Sequence, residues 1–106
     1  MSQWLFVSKL VRAEMLISGP TAEESAAVGL HFSYWKLLTE EGKALVVGRT
    51  QTTDPDTMGL AIFLAEDEFE ALRIGEDDPA VKAGVFRMQI FPYYVALLGE
   101  PDPFRP

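Results

Sequence analysis

The chain contains one histidine, His31, and the carboxylate best suited to work with it is Asp78, which closes the acidic run Glu76-Asp77-Asp78 and precedes Pro79. Histidine ordinarily titrates near ~6.5, so as a residue type it gives and takes a proton around neutral pH. A carboxylate bonded to one ring nitrogen holds the tautomer and leaves the other nitrogen as a base. A pair of this kind can serve proton abstraction beside a carbonyl, isomerisation, or elimination of HX. Each residue also has a purely structural reading. His31 can be a helix-edge histidine bonded to a backbone carbonyl, and Asp78 can simply cap a helix that begins at Pro79.

Three further residues can line a pocket around such a pair. Arg49 follows Gly48 at the end of a strand-like stretch and can clamp an anionic group; as an alternative it is a surface arginine near an acidic loop. Tyr34 and Trp35 lie within one turn of His31 on a helical pattern, where aromatics more often belong to a core. Neither Asp54 with Asp56 nor Asp77 with Asp78 brings the further oxygen ligands a hard cation needs, so no metal is expected. There is no second histidine and no cysteine for a zinc site, no phosphate-cradling glycine loop, and no Ser-His-Asp pattern. No cofactor is expected.

Composition narrows the function classes. The 106 residues suit one domain with a modest core. Nine basic residues are scattered among sixteen acidic ones, giving a net charge of −7. Nucleic-acid binding needs clustered Lys and Arg, so it is not expected; a small anionic ligand held by one or two local cations remains compatible. No apolar run approaches a membrane span of ~18 residues. The start of the chain lacks the basic region of a signal peptide. A cytoplasmic location is the expectation.

The elements that must position these residues follow from pattern. Trp4 to Arg12 reads as a strand, with Trp4, Phe6, Ser8 and Leu10 on one face and Leu5, Val7, Lys9 and Val11 on the other. Met15 to Pro20 reads as a connection. Thr21-Ala22-Glu23-Glu24 fits a capping box and opens a helix over about 22–41, stopped by Gly42. Its expected core stripe is Ala26, Leu30, Tyr34, Leu37 and Leu38, with His31 beside it. Lys43 to Thr50, interrupted at Gly48, and Met58 to Leu64 read as an antiparallel hairpin around Asp54-Pro55-Asp56. Asp67-Glu68-Phe69-Glu70 resembles a second capping box; the helix it opens should turn Phe69 and Leu72 inward. After the Asp78-Pro79 break comes a single turn closed by Gly84. Val85 to Phe91 is the last clear strand, ended or bulged at Pro92, and 93–98 reads as an edge or fifth strand. Residues 1–98 are expected to form the single domain and 99–106 an extended tail.

This order, β-α-β-β-α-β, is the ferredoxin-like α+β plan with an antiparallel sheet. Two helices cover only one face of such a sheet, yet several strands are apolar on both faces. The second face therefore needs a partner, most simply an identical chain, so a homodimer is expected.

The ordered set of a helix bearing His31, then Leu37-Leu38, Glu41-Gly42-Lys43, an apolar strand ending near Gly48, Asp78-Pro79 and Ala83-Gly84-Val85 resembles the YCII-related domain family. The likeness runs from about His31 to Pro92. It implies a dimeric α+β barrel in which two four-stranded sheets face each other. It also implies an active-site His and Asp, which by motif position correspond to His31 and Asp78, and for some relatives elimination or dehalogenation of small molecules. The sequence departs from the family pattern in having Gly48-Arg49-Thr50 in place of Gly-Pro-Phe, and Ala80 where an aromatic commonly follows Asp-Pro; both differences should touch the pocket. The resulting expectation is a small-molecule enzyme in which His31 is the acid/base and Asp78 orients it. The rival is a non-catalytic dimeric ligand-binding or accessory module.

Overall fold

A computed structural model describes residues 1–99. Its elements are β1 (Ser2–Leu10), α1 (Met15–Ser18), α2 (Ala22–Glu40), β2 (Ala44–Arg49), β3 (Met58–Ala65), α3 (Glu68–Glu76), α4 (Pro79–Lys82) and β4 (Phe86–Tyr93). The four strands form one sheet in the order β2-β3-β1-β4, every neighbouring pair antiparallel. This is the ferredoxin-like α+β plan. Central β1 pairs with β3 on one side and β4 on the other, so its inward residues Trp4, Phe6 and Ser8 lie beneath the helices.

The start of α2 is built as its residue types require. Thr21 Oγ1 accepts from the Glu24 N–H at 3.1 Å, and Glu24 Oε1 accepts from the Thr21 N–H at 2.7 Å. Arg12, just beyond β1, holds the same carboxylate through Nε at 2.9 Å and Nη2 at 2.6 Å. The helix start is thereby fastened to the end of β1 by a bidentate ion pair. The Arg12 hydrogen bonds, followed by the Thr21 N–H, pull the Glu24 carboxyl from its ordinary 4.5 to about 2. A carboxylate whose folded pKa is depressed stabilises the fold above its free value and loses that contribution as pH falls through the folded value. Glu24→Gln should therefore flatten the acid-unfolding curve between pH 4.5 and about 2 and leave its slope near neutral pH unchanged, as read by circular dichroism.

The buried face of α2 differs from the expected stripe. Glu24, Ala27 and Trp35 are buried, and Val28, His31, Tyr34 and Leu38 are half-buried on the same side. Leu30 and Leu37 instead face outward, 59% and 56% exposed, and Ala26 is exposed with them. The stripe that packs includes the two polar residues Glu24 and His31, because each finds a charged partner beneath the helix. Arg12 meets Glu24, and Asp78 meets His31.

In α3 the Asp67 side chain caps the Glu70 N–H at 2.9 Å, but the reciprocal half of the box is absent: Glu70 Oε1 accepts from the Glu66 N–H. Phe69 and Leu72 point away from the core, Phe69 being 79% exposed, while Ala71, Ile74 and Gly75 are buried. Small residues win here because the helix lies close on the sheet. A Cβ at Gly75 would sit 3.0 Å from Ile90 Cδ1, 3.1 Å from Met88 Sδ and 3.4 Å from Phe6 Cδ2. Gly75→Ala is expected to destabilise by about 1 kcal/mol in urea unfolding, since overpacking of ~1–3 kcal/mol exceeds a helix-propensity gain of about 1 kcal/mol. Gly29→Ala on α2, where an added Cβ meets nothing within 4 Å, is expected to stabilise by ~0.5–1 kcal/mol.

Other departures are local. Met15–Ser18 forms a short helix where a plain connection was expected. Gly48 is paired with Leu60, and the irregularity of β2 falls between Ala44 and Val46. β4 runs through Pro92, opposite Trp4, to Tyr93; it is an edge strand, where a missing N–H is tolerated. Residues 94–99 are not a strand, although the Val95 N–H reaches Gln3 Oε1 at 2.7 Å. Apart from its first residue, the expected tail at 99–106 lies outside the described residues. No helix among the described residues is long and apolar enough to cross a membrane.

The helices lie on one face of the sheet. On the other, Leu60, Phe91 and Tyr93 are exposed, with Leu5, Val7 and Ile62 half-buried among them. The two-sided apolar pattern of the strands is therefore real: among the described residues no helix covers this side, and the segment after β4 only borders it near Val46 and Ile62.

Candidate functional site

Asp78 stands at the junction of α3 and α4, where proline bars the preceding residue from helical geometry. Its backbone is extended enough to cap (φ −57°, ψ 124°), and Pro79 takes the first helical position. Oδ1 accepts the Ala80 N–H at 2.8 Å. Oδ2 accepts Trp35 Nε1–H at 2.8 Å and lies 2.5 Å from His31 Nδ1. The side chain is 0% exposed, so a charge is held inside the protein by three donors from two helices. Burial pushes its pKa up. The hydrogen bonds from His31 and Trp35, the His31 charge and the Ala80 N–H outweigh that effect and hold the carboxyl below its ordinary value. Asp78 is therefore an anion at neutral pH.

An ionised Asp78 accepts only, so the adjoining His31 Nδ1 carries a proton, and Nε2 is the ring nitrogen turned away from the carboxylate. The edge-to-face contact with Phe86, centroids 4.9 Å apart, fixes the ring plane. Nε2 has no hydrogen-bond partner among the described residues, and no fully enclosed side-chain N or O there lacks one. That nitrogen therefore opens on the adjacent cleft.

The cleft has a volume of about 650 Å3. Its floor is the end of the sheet at Ser8, Leu10, Gly59 and Phe86; one wall is α1 and α2, and the other is the β2–β3 loop with Thr52, Thr53 and Thr57. His31 lines it, while Asp78 lies behind the ring and does not. The pocket thus does not surround the pair as expected but lies on one side of His31, toward α1 and the hairpin.

The remaining sequence candidates separate. Arg49 lines the cleft from the end of β2. Trp35 does not: it is buried between Phe6 and Phe63, with centroids 4.9 and 5.6 Å away, and its indole N–H holds Asp78 from behind. Tyr34 is also outside the lining. Its hydroxyl donates to the Ile74 carbonyl at 2.7 Å and ties α2 to the end of α3, just before the Asp78 junction. Burial pushes the Tyr34 phenol up to about 12, which keeps it a neutral donor. Ala80, the second departure from the family pattern, is buried against Ala27 and Val85 and does not touch the cleft. Sequence reasoning missed two residues of the cleft floor, Ser8 and Gly59. The signal available was a serine on the inward face of β1 between Phe6 and Leu10.

The sequence matches the YCII-related domain over residues 8–93. The chain belongs to the YCII-related family. No curated protein matches it. Among solved structures it is similar to 5-chloro-2-hydroxyhydroquinone dehydrochlorinase (TftG) of Burkholderia phenoliruptrix AC1100 in complex with 2,5-dihydroxybenzoquinone. The TM-score is 0.61 at 21% sequence identity, over 86% of this chain and 93% of that one. At that identity the likeness establishes the fold that this YCII-related chain shares with the enzyme.

Proposed function

We propose that this YCII-related protein is a small-molecule enzyme in which His31 is the general acid/base and Asp78 its positioning partner, and that its reaction is an elimination or a related isomerisation. The observation that carries this reading is the bond from His31 Nδ1 to a fully buried, ionised Asp78, with Nε2 open on a cleft. Nε2 takes a proton from a carbon or hydroxyl of the substrate. The electron pair released expels a leaving group from the neighbouring or conjugated carbon, and HX leaves as halide plus a proton held by the ring and returned to water. Asp78 stabilises the imidazolium formed in between. The dehydrochlorinase named for the similar structure carries out a reaction of this class on a hydroxylated ring, which supports the choice. Incubation with halogenated or hydroxylated small carbonyl and phenolic compounds, read by mass spectrometry, is expected to yield a product that the His31→Ala variant does not form. Binding without product in every case would make the protein a ligand-binding module instead.

The active unit is, on the same reading, a cytoplasmic homodimer. The apolar sheet face around Leu5, Val7, Leu60 and Phe91 is self-complementary in character and would be covered by the same face of a second copy. Sedimentation at micromolar concentration should give twice the chain mass; a monomer would overturn this assembly.

A further inference from the structure

One row of the sheet ends in the cleft floor with an unusual set of side chains. Ser8 on β1 pairs with Gly59 on β3, which pairs with Arg49 on β2. All three lie on the face turned toward α2, and all three line the cleft. Ser8 is only 3% exposed, yet its hydroxyl makes no hydrogen bond among the described residues. Since no enclosed polar atom there lacks a partner, Oγ opens on the cleft. Between Ser8 and Arg49 there is no side chain at all. A Cβ at Gly59 would fall 2.6 Å from Ser8 Oγ, so glycine keeps a notch open beside that hydroxyl. Strands in a sheet stand roughly 4.8 Å apart, so the notch spans about two such spacings, room for a carboxylate.

The charges agree. In a chain of net charge −7, no Asp or Glu among the described residues lines the cleft, whereas Lys9 and Arg49 do. Arg49 makes no ion pair with any described residue. Most of the remaining wall is apolar, including Leu10, Met15, Val28, Phe32 and Phe86.

We infer that the Gly59 notch is an anion subsite, with the Ser8 hydroxyl donating on one side and the Arg49 guanidinium on the other, and that the substrate is a small molecule with an apolar body and one carboxylate or equally planar oxyanion. This deepens the catalytic reading and rests on it only in taking the substrate to be what fills the cleft. Arg49 stands in the segment where the chain departs from the family pattern, so the subsite is a specificity device of this chain. A planar two-oxygen anion is what a guanidinium fork recognises.

The test needs no turnover. Benzoate and benzamide share size and apolar body and differ in charge. In NMR titrations, benzoate should shift the backbone amides of Ser8, Gly59 and Arg49 and bind the wild-type protein at least about 10-fold more tightly than benzamide. Because the net charge of −7 repels anions overall, such a preference must be local. Arg49→Gln should reduce it to within about 2-fold, since the exposed end of β2 tolerates the change without unfolding. Gly59→Ala should weaken benzoate by a similar factor by filling the notch, at little expense to the fold because the serine hydroxyl can rotate away. Equal binding of the two probes by the wild type, no benzoate binding, or an undiminished preference in Arg49→Gln would overturn the subsite. Retained preference with no product from any compound would leave the subsite standing and reject the catalytic reading.

Discussion

Asp78→Ala is expected to lower the free energy of unfolding by about 3 kcal/mol, measured in urea. Three separate losses contribute. The cap on the Ala80 N–H disappears, typically costing ~1 kcal/mol. Trp35 Nε1–H is left without an acceptor inside the protein, a penalty of ~1–3 kcal/mol. His31 loses the bond that seats its ring. Against these stands the relief of removing a buried charge, a real gain because desolvation is the largest single influence on this carboxyl. The donors prevail, since they hold its pKa below the ordinary value despite burial. The sign for pH follows: the contribution of Asp78 is present above the ordinary carboxyl value and fades as pH falls through its lower folded value. Wild type should therefore converge on Asp78→Ala at low pH. A variant as stable as wild type at neutral pH would show that the cost of burying the charge cancels what its three donors contribute.

The second large effect is on turnover. With the substrate found by product screening, His31→Gln is expected to lower kcat/KM by about 10²–10⁴ and to abolish the acid-side limb of the pH–rate profile. Asp78→Asn should match it for a different reason. The amide retains one oxygen, which can still cap Ala80. Its NH2 then occupies the place of Oδ2 and faces two donors, Trp35 Nε1–H and His31 Nδ1–H. The imidazole escapes by moving its proton to Nε2, which removes the base from the cleft. Nitrogen-15 shifts of the His31 ring should report that exchange of tautomers, while circular dichroism reports an intact fold. Full activity with a flipped tautomer would reject His31 as the base.

The response expected of Asp78→Asn depends on a contact that the local sequence does not carry. Asp78-Pro79 is readable as a cap without any structure, because capping is a contact between neighbours and proline restricts its own backbone. From the cap alone, asparagine would be a mild replacement. The third donor, Trp35, makes it a severe one, and nothing in the local pattern says that an indole on α2 will share an oxygen with His31 one turn away. The same limit explains the misplaced stripe of α2. Hydropathy ranks Leu30 and Leu37 above Glu24 and His31 for burial, each residue judged by its own transfer from water. The fold turns the polar pair inward because Arg12 and Asp78, on other elements, pair with them. Phe69 and Leu72 on α3 yielded to Ala71 and Gly75 for a reason equally nonlocal, the close approach of Ile90, Met88 and Phe6.

What the sequence determined by itself is therefore everything set by short range and periodicity. The capped helix starts, the hairpin, the β-α-β-β-α-β order and the strands apolar on both faces all follow from neighbours and alternation, as does the choice of His31 and Asp78 as the residues to watch. Only the tertiary structure decided that these two touch, that Asp78 lies behind the ring rather than in the cleft, that Tyr34 and Trp35 brace the pair instead of lining it, and that Ser8, Gly59 and Arg49 form one row. These are distances between residues on different elements. They are set by how closely helices and sheet pack and by which distant charge relieves which buried one, terms that no single stretch of chain carries.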